Sequence, residues 1–428
     1  MEPNQSTEKP TLTEARYNEL LRMARKSRLF WVLQGRDGLE NKLSPSPIAS
    51  SKAASSSSLP AAHAIQQVLD YLTDAVGDGN LIDVESLVLG MEEDVDETAL
   101  LEAYKHPDNT NLSSYDLFLK KLIHPHAGPV VKSMQQFVAQ QIAKIRDQRM
   151  KATASTMDNI NNILKAASLG KQNERDSEES AKIWANNIFK FLDHVADLMR
   201  TNILWAADTD GEFQIARENS EKFIFIKLHN HIFGVDSEDY HQNQQTQERI
   251  ASLSFISAEH LDIKSFRVAN SFLSPSSSTH TDPLLPILSP AVKFLQDLES
   301  AKSPADKMQC IRKCSASIAQ ILRDLRTDNN LPGADELLPT MILTLKLCNP
   351  PMLHSQIKFL QRYTRPEKLT GEGGYLLTNF VSAVYFLDHV NAQALTIEPE
   401  EFDRAIAQSK QRGRQQVGSA AKRGGHKG

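Results

Sequence analysis

From residue 113 to about residue 407, apolar side chains recur at intervals of three and four, and no stretch of useful length alternates apolar with polar. The first spacing lays a stripe along one face of a 3.6-residue helix, and the missing alternation leaves no half-buried strand to build a sheet from. Val130, Val131, Met134, Phe137, Val138 and Ile142 make one such stripe, and Ile188, Phe191, Leu192, Val195 and Leu198 make another. The chain is therefore expected to be all-α, with amphipathic helices joined by short turns into an antiparallel bundle. A hydrophobic share of 40% is enough to fill a core, and an aromatic share of only 7% fits helices better than β-structure.

The 428 residues divide by composition. Residues 1–61 read as a disordered Ser-rich segment, because runs such as Ser55-Ser-Ser-Ser58 bury too little apolar area to offset the entropy of ordering. A short helix over about 13–34 is the one regular element expected there. Residues 62–112 read as a short helical region of unknown role, with Ile65, Val68, Leu69, Leu72 and Val76 on one face. Residues 113–236 read as a helical bundle carrying a polar, weakly periodic helix-and-loop insertion at 145–182. Residues 237–407 are helical again, interrupted by a Ser-, Thr- and Pro-rich loop at Phe272–Ser289. The end, 408–428, reads as a disordered basic tail. From 405 onward the bases are Lys410, Arg412, Arg414, Lys422, Arg423 and Lys427, with no acid among them.

Charge and motifs exclude several functions. A net charge of −5 gives no bulk attraction to nucleic acid. Three cysteines make no disulfide framework, and none has zinc-site spacing, so a reducing cytoplasmic compartment is expected. No apolar run is long enough to span a bilayer, and the N-terminus has no secretion-signal pattern. Phosphate-loop, dinucleotide-binding, zinc-protease and nucleophile-elbow motifs are all missing. The acidic run Glu92–Glu97 lacks calcium-loop spacing and reads as solvated surface. His124 with His126, and His229 with His231, are two residues apart and point to different sides, so they read as surface or turn histidines. Cys310 and Cys314 share a helical face with Ile311 and Ile318 and read as buried structural thiols. Neither a metal nor a cofactor is expected.

Two punctuated segments stand out. In the first, Asp335 reads as a helix N-cap with Glu336 in the first turn, Leu338, Ile342 and Leu345 form the stripe, and Asn349-Pro-Pro351 stops the helix. Pro339 falls where the chain would begin donating intrahelical bonds, leaving one carbonyl near the cap unanswered. Breaking a local rule is a weak pointer to function, and on local grounds alone Asp335 reads as an ordinary cap. In the second, Gly371, Gly373 and Gly374 lead into an apolar helix with Thr378, Asn379, Ser382 and Ala383 on its early turns. Small residues there admit a partner's backbone, or reflect tight packing between neighbouring helices.

These segments, in order, resemble the VPS-nine (vacuolar protein sorting) domain. The likeness is carried by Gly333-Ala-Asp-Glu-x-x-Pro339, Asn349-Pro-Pro-x-Leu-His-Ser355, Lys368-Leu-x-Gly-Glu372 and Tyr375-x-x-Thr-Asn379, with Pro304-Ala-Asp-Lys-x-x-Cys-Ile311 upstream. Phe118-Leu-Lys-Lys-Leu122 and Lys222-Phe-Ile224 resemble the bundle that precedes the domain in Rabex-type and plant-type members. The resemblance covers about 114–407. It implies an all-helical exchange domain buttressed by the bundle, acting as a guanine-nucleotide exchange factor for an endosomal small GTPase of the Rab-five class. The partner would be met GDP-bound or nucleotide-free, in endocytic or vacuolar vesicle traffic, with no covalent chemistry by this chain. By the same resemblance Asp335 is the acidic finger and Tyr375 a switch-contacting aromatic. Leu338, Pro339, Asn349, Pro350, Thr378, Asn379 and Ala383 would line the groove for the GTPase.

Departures from the family pattern are specific. Tyr375-Leu-Leu377 replaces a run of two or three aromatics, the 272–289 loop is long, the bundle carries its insertion, and no zinc finger precedes it. The competing reading is a non-catalytic helical adaptor that binds a GTPase or another trafficking protein. For the tail, attraction to an anionic membrane surface at about 1 kcal/mol per base and a merely solvated end both stay open. Cytoplasmic location with peripheral recruitment to early-endosome or vesicle membranes is the expectation.

Overall fold

The computed structural model describes residues 31–32, 113–159, 166–234, 237–266, 284–325, 334–395 and 397–424. Apart from Trp31 and Val32, which are helical, the segments at 1–61 and 62–112 lie outside the described residues. Among the described residues the regular structure is all helical, as the periodicity requires. The helices are α1 Ser114–Ile123, α2 Gly128–Asn159, α3 Ala166–Arg200, α4 Ile203–Ala206, α5 Asp210–Ile232 and α6 Ser237–Ser252. They continue as α7 Leu285–Ser300, α8 Pro304–Leu325, α9 Ala334–Cys348, α10 Leu353–Tyr363, α11 Gly371–His389 and α12 Pro399–Gly424. None of the described helices is long and apolar enough to cross a membrane.

Local chemistry sets several starts. Ser113 Oγ accepts from the Asp116 N–H at 3.1 Å ahead of α1, and Ser303 Oγ does the same for Asp306 in α8. Thr209 and Glu212 cap α5 reciprocally, the Thr209 N–H reaching the Glu212 carboxylate at 2.8 Å. Each satisfies a first-turn N–H that the helix cannot, worth about 1 kcal/mol.

Packing divides the chain into two compact units, Met1–Asn161 with Ile188–Lys227, and Asn162–Asn187 with Leu228–Gly428. The first has Leu119, Leu122, Val131, Met134, Val195, Met199, Trp205, Phe223 and Phe225 in its core. Phe137 and Phe191 stack with centroids 3.8 Å apart, joining α2 to α3 along the stripes read from the sequence. The expected insertion at 145–182 is mostly a continuation of these two helices, which run to Asn159 and resume at Ala166. Its Ala, Lys, Gln, Glu and Arg content favours helix even where no apolar stripe is present. The expected turn at His124 and His126 is present: the 3-10 turn Pro125–Ala127 stacks the two rings 5.2 Å apart.

In the second unit α7 packs on α8 and α9, α9 packs on α11, and α6 packs on α10, α11 and α12. Leu295, Ile311, Ile318, Leu343, Leu345, Leu360, Phe380 and Leu387 are among the fully enclosed core side chains. Burial of each is worth about 1.5–3 kcal/mol.

Two expectations need correction here. The loop expected through Ser289 gives way to helix at Leu285, because Pro286 sits in the first turn where a missing N–H costs nothing. α12 starts on an acidic first turn at Glu400 and Glu401, and its backbone is helical through Gly424. His229 is not a surface residue: it is buried, stacked on Phe233 at 4.7 Å and edge-on to Phe359 at 5.5 Å. Of the paired thiols, Cys314 is fully buried as expected, whereas Cys310 is only half-buried.

Candidate functional site

The first punctuated segment becomes α9, and its start differs from the expected one by two residues. The helix begins at Ala334, so Asp335 lies within the first turn instead of capping it. Its carboxylate still benefits from the positive end of the helix dipole, and it is exposed to solvent. Glu336, next in sequence, does the opposite. It is 5% exposed, and its two carboxylate oxygens accept from the Ser265 N–H at 2.9 Å and the Ser265 hydroxyl at 2.8 Å. Of two adjacent acids, one is anchored inward and the other left facing water.

The helix is also unusual inside. Pro339 stands in its interior, so the carbonyl four residues back, that of Asp335, receives no intrahelical N–H. One turn on, the hydroxyls of Thr340 and Thr344 bond back to the carbonyls of Glu336 and Thr340, each at 2.7 Å, so both stay satisfied while buried. Asp335, Leu338 and Pro339 share a face by their spacing of three and four. Leu338 and Pro339 are half-buried, whereas Ile342 and Leu345 are in the core.

The second segment becomes α11, preceded by the 3-10 turn Pro366–Leu369. Here the glycines find their physical reason. A Cβ on Gly373 would lie 2.2 Å from the Lys368 carbonyl oxygen, and one on Gly374 would lie 2.2 Å from that of Leu369. The close approach is therefore by the chain's own backbone. Gly371, with φ of 58°, enters the helix from the left-handed region that glycine adopts freely. Beyond it Tyr375 is 48% exposed, Thr378 is exposed and Asn379 is half-buried, forming one row along the helix. Since α9 and α11 pack on each other, this row and the row containing Asp335 lie on neighbouring helices.

Of the other expected groove residues, one is in the core and two follow α9. Ala383 is fully buried, and its small side chain serves the packing of α11. Asn349 and Pro350 follow the last turn of α9, about 20 Å along its axis from Asp335 at 1.5 Å per residue. Asn349 adopts φ of 43°, its N–H closes the helix on Leu345 O at 2.8 Å, and its side-chain amide donates to Gln247 O at 3.2 Å. These residues shape the turn into α10.

Sequence reasoning did not single out the pairing of Glu336 with Ser265. A signal existed: Glu336, Thr340, Leu343 and Thr344 recur at helical spacing and are all buried, which sets Glu336 on the inner face. The thiols offer no nucleophile. Burial pushes Cys348 up to about 12 and raises Cys314 and Cys310 as well. Among the described residues no group of His, Cys, Asp or Glu is placed to hold a metal ion.

The family described as the vacuolar sorting protein 9 (VPS9) domain matches residues 288–392, from within α7 to just past α11. That segment of the chain carries the VPS9 pattern. The match contains both site helices, whereas Ser265 precedes it. The chain is 32% identical over 226 residues to vacuolar protein sorting-associated protein 9A of Oryza sativa subsp. japonica, covering 52% of this chain and 44% of that one. It is 27% identical over 298 residues to the protein of the same name from Arabidopsis thaliana, covering 69% and 48%. It is 31% identical over 189 residues to the Rab5 GDP/GTP exchange factor of Homo sapiens, covering 44% and 36%. It thus spans less than half the length of these relatives.

Proposed function

We propose that this protein is a guanine-nucleotide exchange factor for a small GTPase of the Rab-five class, acting in endocytic or vacuolar traffic, with Asp335 as its acidic finger. The observation that carries the reading is the pair of adjacent acids at the start of α9: Glu336 is held inside by Ser265, and Asp335 is presented to solvent. The VPS9 match and the relatives named as exchange factors support it. A carboxylate introduced into a GTPase phosphate site would repel the β-phosphate, compete for Mg²⁺ and offer the phosphate-binding lysine a substitute anion. Each effect grows as the docked surfaces exclude water, because charges interact more strongly at low dielectric. Tyr375 is the aromatic offered to the switch region, with Leu338, Pro339, Thr378 and Asn379 beside it on the two helices. The chain makes and breaks no covalent bond in this reaction.

The test is release of a fluorescent GDP analogue from a Rab-five-class GTPase. Asp335→Ala should slow accelerated release by about tenfold or more, with far-UV circular dichroism unchanged. A variant as fast as the parent would overturn the mechanism. Binding that prefers the GTP-loaded GTPase to the nucleotide-free one would instead make the protein an adaptor.

A further inference from the structure

We infer that Glu336 and Ser265 form a positioning pair that fixes the first turn of α9 from outside the helix and thereby sets where Asp335 stands. The inference rests on the exchange reading above and adds two residues to it. One of them, Ser265, lies outside the segment matched as a VPS9 domain.

The first turn of α9 lacks one internal tie. A helix ordinarily ties its early carbonyls down by N–H groups four residues on. Pro339 has no N–H, so the tie to Asp335 is missing at the residue whose placement matters most. An external tie replaces it one residue along. Glu336 accepts two hydrogen bonds from one residue, the backbone N–H and the hydroxyl of Ser265, at 2.9 and 2.8 Å. Two bonds to a single carboxylate fix orientation as well as distance, and bonds to a charged acceptor are stronger than neutral ones. Ser265 is itself anchored: it is buried, and its neighbours Ile263 and Phe266 are both fully enclosed in the core. The Glu336 carbonyl meanwhile accepts from Thr340, so both the backbone and the side chain of Glu336 are held. Asp335, one bond away along the chain, inherits that placement while remaining exposed. Reacting groups lose activity steeply when displaced by an ångström or so, so slackening the pair should slow release without removing any group that touches the GTPase.

The test compares Glu336→Gln, Glu336→Ala and Ser265→Ala in the full chain, each alone and combined with Asp335→Ala. The readout is GDP-analogue release from a Rab-five-class GTPase, resolved into kcat and KM, with the exchange factor in excess so that slow rates are measurable. Gln keeps an acceptor for the Ser265 N–H, so Glu336→Gln should lower kcat by about threefold to tenfold with KM within about twofold. Glu336→Ala should lower kcat further, and Ser265→Ala, which keeps one bond, should fall between parent and Glu336→Ala. Combined with Asp335→Ala, none of the three should slow release further, because the group being positioned is gone. The inference is overturned if Glu336→Gln and Ser265→Ala keep the parent kcat while Asp335→Ala loses it, which leaves the exchange reading standing. It is overturned too if these variants slow release by the same factor with and without Asp335, as a general loss of structure would. If Asp335→Ala keeps the parent rate, the exchange reading fails and takes this inference with it. Should Glu336→Ala fail to fold, Glu336→Gln and Ser265→Ala decide.

Discussion

A single methyl group separates Gly373 from a backbone collision, since an added Cβ would meet the Lys368 carbonyl oxygen at 2.2 Å. That oxygen belongs to the 3-10 turn ahead of α11 and cannot swing aside as a side chain would. Gly373→Ala should therefore cost about 1–3 kcal/mol, read as a lower urea midpoint at unchanged slope. Gly211, by contrast, has nothing within 4 Å of its Cβ position, so Gly211→Ala is the control for intrinsic glycine effects. The glycine cluster was legible in the sequence, but the turn carbonyls that require it were not. The two acids of α9 show the same limit. Asp335 and Glu336 carry the same charge and adjoin one another, and only the position of Ser265, some seventy residues earlier, tells the anchored one from the presented one.

At the scale of elements, periodicity gave the helices and local chemistry gave their ends less well. Pro286, read as part of a loop, opens α7, and Pro339, read as a break near a cap, lies inside α9. Proline is compatible with both positions, and the choice depends on whether the flanking residues have a core to pack on. For α9 this makes a prediction. Pro339→Ala restores an N–H to the Asp335 carbonyl, and the interior penalty of proline exceeds what the half-buried ring loses in packing. The variant should be more stable by about 1 kcal/mol, seen as a raised urea midpoint. A lowered midpoint would mean that the ring's contacts outweigh the missing bond.

At the scale of the whole molecule, the least expected feature is a buried cation. Lys307 is fully enclosed, donates to Leu298 O at 3.0 Å near the end of α7, and lies 4.8 Å above the Phe233 ring and 5.7 Å above that of Phe359. Those contacts favour its charged form, but burial wins and pushes it down to about 8. His229 packs against the same two rings, and burial, then the charge of Lys307, holds it down at about 4, while its bond to Asn230 opposes and Lys302 adds a further repulsion. Between pH 4 and the unfolded histidine value near 6.5, the unfolded chain binds the extra proton. His229 therefore contributes stability above pH 6.5 that is lost as pH falls towards 4, about 2 kcal/mol between pH 7 and pH 5. His229→Phe should flatten that limb of the urea-measured pH profile, and an unchanged slope would sink the assignment. By itself, the sequence determined that this protein is helical, that its apolar stripes form the cores, and that two punctuated segments carry a VPS9 pattern, because these are properties of spacing along one chain. The tertiary structure decided which acid faces water, which groove residues belong to turns or core, and that His229 is inside. Those outcomes depend on side chains meeting from distant parts of the chain, where burial and hydrogen bonding, not local preference, set the result.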